Sequence, residues 1–255
     1  MASSEPYFQV EALSKAFGGL QAVNDVTFSV TRGSITSLIG PNGAGKTTVF
    51  DLISGFLVAD HGRIRFRGHD LTRRRPHEIV ALGMARTFQH LGLFYQLSVW
   101  DNVFLGLPAK RRERLWGTFL PRRVLRREEK LLEDRTAEIL DFLGLRSKAG
   151  EQVANLSWGD QKLVCIGRLL ATDGDFLLMD EPAAGLSDEQ IVDLKALLRD
   201  LVARGKTVLI IDHNMEAIMD ISEWVIVLNS GRILATGQPA EIQANEGVIK
   251  AYLGV

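Results

Sequence analysis

The chain has 255 residues, with 30 Lys plus Arg against 31 Asp plus Glu, one cysteine and 46% apolar residues. That length holds one domain, or one domain with a subdomain, and buries a full core, while the balanced charge gives no reason to expect nucleic acid as a main partner. Cys165 alone excludes an internal disulfide and fits a reducing compartment; Met1 to Glu5 has neither a basic nor an apolar segment, so no signal peptide is expected, and no apolar run approaches the roughly 20 residues of a membrane span, so any membrane-spanning part falls to other chains.

Phe8 to Phe17 and Val23 to Val30 alternate with period two around Gly18-Gly19 and predict two strands. Ile35-Thr36-Ser37-Leu38-Ile39 reads as a buried strand. Gly40-Pro41-Asn42-Gly43-Ala44-Gly45-Lys46-Thr47 follows, with Thr48 next, and then Val49 to Ile53 as a helix. The eight residues fit G-x-x-x-x-G-K-[ST] between a strand and a helix, the P-loop pattern, in which backbone N–H groups and the helix N-terminus cradle phosphates. The pattern names a ligand class, a nucleoside triphosphate with Mg²⁺. Lys46 is placed to reach the β- and γ-phosphates and Thr47 to offer its hydroxyl to the metal.

Gly62 to Gly68 predicts another strand, apolar on one side and arginine-bearing on the other, in a small antiparallel sheet beside the P-loop strand. Pro76 opens a short helix to about Leu82, and Met84 to Phe88 is extended. From Asp101 to Leu145 the pattern turns helical: Leu131, Leu132, Ile139, Leu140 and Leu143 recur at helical spacing, and Gly144 is a C-cap. Within it, Pro108 to Arg135 carries ten Arg/Lys against five Asp/Glu, either a solvated helix face or a docking surface for anionic headgroups or an acidic partner loop. Ser157 begins a helix to about Ala171. Asp175 to Asp180 is a buried strand ending in acid, Asp188 to Arg204 an amphipathic helix, and Lys206 to Asp212 the next buried strand. Val225 to Leu228 and Arg232 to Leu234 flank Asn229-Ser230-Gly231 as a hairpin, and Pro239 starts one last helix to about Tyr252. Helices alternating with apolar strands around a P-loop imply a parallel α/β sheet.

Four further pieces narrow the chemistry. Asp180 ends its strand as a residue that would hold Mg²⁺, and Glu181 follows as a group that can accept a hydrogen bond from an attacking water. Leu156-Ser157-Trp158-Gly159-Asp160 precedes a helix, and Ser157-x-x-Asp160 is also close to a capping box. His213 follows a buried strand. Gln89 follows the extended Arg86-Thr87-Phe88.

In this order the chain resembles the ATP-binding-cassette (ABC) ATPases over essentially its whole length. The resemblance implies an α/β P-loop NTPase (RecA-like) core with an antiparallel β-subdomain and an inserted helical subdomain: 1–88 and 173–238 as core and β-subdomain, 89–172 as helical subdomain, 239–255 as C-terminal helix. It implies ATP and Mg²⁺ as cofactors. Nucleotide falls to Phe17, which would stack on adenine, to Gly40, Pro41, Asn42, Gly43, Ala44, Gly45, Lys46, Thr47 and Thr48, and, from a partner ATPase, to Ser157 and Gly159 of the signature. The signature departs from L-S-G-G-Q at Trp158 and Asp160. Thr47, Gln89 and Asp180 are the implied metal ligands, and Glu181, His213 and Gln89 the implied catalytic groups.

Phe17-Gly18-Gly19-Leu20-Gln21-Ala22-Val23, Arg86-Thr87-Phe88-Gln89, Leu93-Phe94, Trp158-Gly159-Asp160-Gln161, Asp180 to Leu186 and Ala251-Tyr252-Leu253-Gly254 resemble one ATPase subunit of branched-chain amino-acid importers. That likeness implies a second ABC ATPase, identical or different, two permease chains and an extracytoplasmic solute-binding protein. It places the chain peripherally on the cytoplasmic face of an inner membrane. Asp212, Asn214 and Ser187 stand where Glu, Asp and Asn are usual. The alternative is a non-transport ABC ATPase of DNA repair, cluster assembly or translation, but neither a long coiled-coil insertion nor a second cassette is present. A GTPase would need N-K-x-D, and the chain has no Asn-Lys pair.

Overall fold

The computed structural model describes residues 6–87, 91–108, 122–212 and 218–253. It resolves into two compact units, one of residues 1–86 with 175–255 and one of residues 87–174.

The first unit holds two sheets. β1 (Phe8–Phe17) and β2 (Leu20–Val30) form an antiparallel hairpin, closed at Phe17↔Leu20. β4 (His61–Phe66) and β5 (His69–Asp70) extend it in the order β2-β1-β4-β5. The larger sheet runs β10-β9-β3-β8-β7-β6. β3 (Ile35–Ile39), β6 (Met84–Arg86), β7 (Phe176–Asp180), β8 (Thr207–Ile211) and β9 (Trp224–Asn229) pair in parallel, and β10 (Arg232–Gly237) closes the edge antiparallel. β3, β7 and β8 are buried at every position, as expected of parallel strands covered on both faces. The β9–β10 turn puts Ser230 and Gly231 at φ 48° and 77°, the left-handed pair that suits a right-twisted hairpin.

The sheets pack through aromatic rings. Phe176 of β7 lies 5.0 Å from Phe8 and 5.7 Å from Phe66, centroid to centroid. Around this cluster α1 (Lys46–Ile53) buries Val49, Phe50, Leu52 and Ile53. α2 (Pro76–Ala81) begins at Pro76, whose missing N–H costs nothing in a first turn. α6 (Asp188–Ala203) buries Leu194, Leu198 and Leu201, and Ser187 with Gln190 forms its capping box. The last helix expected from Pro239 is instead two, α7 (Pro239–Gln243) and α8 (Glu246–Leu253). Asn245 breaks it: its Oδ1 accepts from the Val248 N–H at 3.1 Å, capping a new helix.

The second unit is helical. α3 (Val99–Gly106), α4 (Arg122–Phe142) and α5 (Trp158–Ala171) pack together. α3 and α5 meet where side chains are absent: a Cβ on Gly106 would lie 2.7 Å from the Arg168 carbonyl oxygen, and one on Gly167 3.0 Å from Val103 Cγ2. Ile139 and Leu140 of α4 and Leu143 just after it are buried, as the helical spacing predicts, but Leu131 faces out and the buried position one turn before Leu140 is Thr136. Thr136 is tolerated there because its hydroxyl donates to the Leu132 carbonyl at 2.9 Å. Gly144, at φ 68°, ends the helix. Much of the basic stretch, 109–121, lies outside the described residues.

Candidate nucleotide site

The strand order decides where the site forms. β8 lies between β3 and β7, with Leu38↔Ile211 and Asp180↔Ile211 in register. The C-terminal ends of β3 and β7 therefore reach the same edge of the sheet, the edge at which open parallel sheets bind ligands. β3 delivers the P-loop there and β7 delivers Asp180 and Glu181.

The loop is shaped by its glycines. Gly40, Gly43 and Gly45 take φ of 154°, 80° and 100°. A Cβ at Gly40 would fall 2.1 Å from the Leu228 carbonyl oxygen, and one at Gly45 2.4 Å from that of Ala22. The loop is thus pressed against backbone on two sides, β9 and β2. Hydrogen bonds tie it: the Gly231 N–H donates to Ala44 O at 3.0 Å, and the Asn24 N–H to Gly231 O at 2.7 Å. Gly45 caps α1 with no side-chain bond, so the first N–H groups of the helix stay available to an anion. Lys46 Nζ turns back onto the loop, donating to Gly40 O at 2.7 Å and Pro41 O at 3.0 Å. Burial pulls its pKa down, while the Glu181 and Asp180 carboxylates push it up. Pro41 and Thr48 are half-buried, Asn42, Gly43 and Thr47 exposed, and Ala44 buried.

Asp180 is nearly enclosed. Burial raises its pKa, opposed by the Arg86 guanidinium, which donates to Asp180 Oδ2 at 3.3 Å. Glu181 takes φ 48°, a left-handed conformation that costs a non-glycine residue about 1–2 kcal/mol. Its N–H donates to Ile211 O at 2.7 Å, and buried Asp212 accepts from the Ala183 N–H at 3.0 Å, so the turn after β7 is held to the end of β8. Asp212, in the position where Glu is usual, thus anchors backbone. Phe17 ends β1 as an exposed aromatic residue, with Lys15 Nζ over its ring, 5.7 Å from the centroid.

The donor set suits a metal held jointly with phosphate. Among the described residues no three His, Cys, Asp or Glu side chains form a metal cluster. A hydroxyl at Thr47 and one buried carboxylate at Asp180 are what Mg²⁺ uses when phosphates and water complete its shell. Gln89 and His213 lie outside the described residues.

Ser157 and Gly159 belong to the second unit. Ser157 caps α5, exposed, its hydroxyl donating to Asp160 Oδ2 at 2.7 Å and accepting from the Asp160 N–H at 3.2 Å; Gly159 is buried. Burial alone would raise the Asp160 carboxyl, but the Lys148 ammonium, 2.6 Å away, and the Ser157 hydroxyl hold it below its ordinary value. Sequence reasoning passed over Lys148 and gave Arg86 no role in the site: partners far along the chain leave no local pattern.

Comparison with known proteins agrees with this geometry. A family profile described as "ABC transporter" matches residues 23–184, and one described as "Branched-chain amino acid ATP-binding cassette transporter" matches residues 232–255. The chain is 39% identical over 252 residues to the high-affinity branched-chain amino acid transport ATP-binding protein LivG of Salmonella typhimurium, covering 98% of this chain and 99% of that protein. It is 37% identical over 252 residues to BraF of Pseudomonas aeruginosa, a protein of the same description, with the same coverage. A nucleotide-free ATP-binding cassette from an ABC transporter superposes with a TM-score of 0.86 at 32% identity over 98% of this chain and 99% of that one. The ADP conformation of such a cassette superposes with a TM-score of 0.86 at 32% identity over 99% and 100%. These likenesses support the transport reading over repair, cluster assembly or translation. The chain belongs to the ABC transporter family, as an ATP-hydrolysing subunit of its branched-chain amino acid type.

Proposed function

We propose that this subunit hydrolyses ATP to drive import of branched-chain amino acids, or of related small polar solutes, through two permease chains served by an extracytoplasmic solute-binding protein. It sits peripherally on the cytoplasmic face of the inner membrane and closes against a second ABC ATPase, identical or different. The observation that carries the catalytic part is the arrival of the P-loop and the Asp180–Glu181 pair at one sheet edge, on strands flanking β8.

In this reading Lys46 leaves the Gly40 and Pro41 carbonyls for the β- and γ-phosphates, and the loop N–H groups hold the same oxygens. Thr47 and Asp180, with Gln89, are the groups that would hold Mg²⁺, whose charge would offset that of the phosphates. Glu181, aimed by its left-handed backbone, accepts a hydrogen bond from the attacking water. Phosphoryl transfer to water asks for positioning and charge neutralisation rather than covalent chemistry. Phe17 stacks on adenine and His213 contacts the γ-phosphate. Ser157 and Gly159 of the partner ATPase close over the nucleotide, and closure is the two-state element that nucleotide biases.

The test is Glu181→Gln in the assembled transporter. ATP binding is retained and turnover falls roughly 10²–10⁴-fold; near-normal turnover removes Glu181 from the reaction.

A further inference from the structure

The Arg86 side chain, at the end of β6, is 7% exposed, and its guanidinium bridges two carboxylates unequally. Nη1 donates to Asp51 Oδ1 at 2.6 Å and to Ser54 Oγ at 2.7 Å; Nη2 donates to Asp180 Oδ2 at 3.3 Å. Asp51 is the more solvated acid, its side chain 31% exposed against 5% for Asp180. The Phe50 ring lies under the guanidinium, 5.5 Å from its carbon. Asp51 follows Thr47 by one helical turn and shares its face of α1. One cation therefore has a tight, outer seat on Asp51 and Ser54 and a looser, inner contact with the carboxylate proposed to hold Mg²⁺.

We propose that Arg86 is a built-in counter-cation for Asp180, compensating the buried charge when metal is absent and ceding it to Mg²⁺ by withdrawing onto Asp51 and Ser54. The proposal rests on the reading of Asp180 as a metal ligand. A buried carboxylate without a cation is costly, so a folded nucleotide-free state needs a substitute, and the metal must then displace it. The Mg²⁺ requirement is thereby set by how firmly Asp51 and Ser54 retain Arg86. Arg suits the task because its planar fork keeps several donors apart and cannot deprotonate, whereas Lys offers a single point charge.

The experiment titrates Mg²⁺ against the purified chain with a non-hydrolysable ATP analogue and reads the melting temperature. Arg86→Met lowers the metal-free melting temperature and lowers the half-saturating Mg²⁺ roughly tenfold, the scale of a lost charge-assisted competitor. Ser54→Ala, which changes no charge, raises it. Asp51→Asn also raises it, and its effect disappears in the Arg86→Met background, because Asp51 acts through Arg86. If Asp51→Asn has the same effect with and without Arg86, a simple field effect is at work and the proposal is overturned. Should Arg86→Met not fold, Arg86→Lys serves, with a fall in half-saturating Mg²⁺ expected and an unchanged value overturning the proposal. Asp180→Asn separates the two readings. Loss of the Mg²⁺ dependence there, with none of the Arg86 effects, sinks the exchange and keeps Asp180 as ligand. An unchanged Mg²⁺ dependence in Asp180→Asn sinks both.

Discussion

Single atoms show where the fold is under tension. The Tyr252 hydroxyl is enclosed in the first unit beside the Gly40 backbone, without a hydrogen bond of ordinary geometry among the described residues. Burial pushes its phenol from 10.0 up to about 12, with the Gly40 backbone opposing the rise. The folded chain then keeps a proton that the unfolded chain releases first. Stability from this residue is full below the ordinary phenol range and falls as pH climbs through about 12. Tyr252→Phe should therefore be neutral or stabilising at pH 7, within about 1 kcal/mol, since it removes an unmet polar atom and keeps the ring. Denaturant melts across pH 9 to 12 should show a shallower alkaline decline in the variant; a decline identical to that of the parent would show that Tyr252 contributes nothing to it. Cys165 shifts the same way, burial raising its thiol from 9.0 to about 11.

At the scale of elements, the second unit depends on one buried amide. Asn102 of α3 is fully enclosed; its Nδ2 donates to Phe94 O at 3.0 Å and Ser98 O at 2.9 Å, and its Oδ1 accepts from the Phe94 N–H at 2.9 Å. It fastens the segment before α3 to the helix. Asn102→Leu leaves those backbone groups without their buried partner, and a loss of about 2–4 kcal/mol in chemical denaturation is expected. A loss under about 0.5 kcal/mol would mean the segment is held by other contacts. Nothing in the sequence marks Asn102, because its partners are backbone atoms that any residue supplies. The strands, by contrast, are legible: β3, β7 and β8 are short, mostly apolar runs buried throughout, and β1 and β2 alternate. The P-loop turn is legible because Gly40 and Gly45 answer to backbone contacts that a Cβ would violate, and Gly43 to its left-handed φ. The break between α7 and α8 hides in an apolar periodicity that continues across it, and only the capping bond of Asn245 reveals it. The Arg86 bridge spans 35 residues to Asp51 and 94 to Asp180, a separation at which no sequence window sees both ends.

At the scale of the whole molecule, a ligand on the proposed nucleotide loop adds stability to that of the fold itself. Lys46 is half-buried and its ammonium spends its bonds on two loop carbonyls instead of an internal carboxylate. It is the first residue of α1, whose side chains buried in the core are Val49, Phe50, Leu52 and Ile53. Removing it should cost the empty protein little and the liganded protein much. Ligand at 100 times its Kd adds about 2.7 kcal/mol to a fold that alone binds it. We expect Lys46→Ala to melt within a few degrees of the parent without nucleotide and to lose the shift that saturating MgATP produces in the parent. The paired melts discriminate cleanly. A variant that melts far below the parent when empty would make Lys46 a structural residue of the loop. One that keeps the full nucleotide shift would remove Lys46 from phosphate binding, and with it the assignment of this loop as the ATP site.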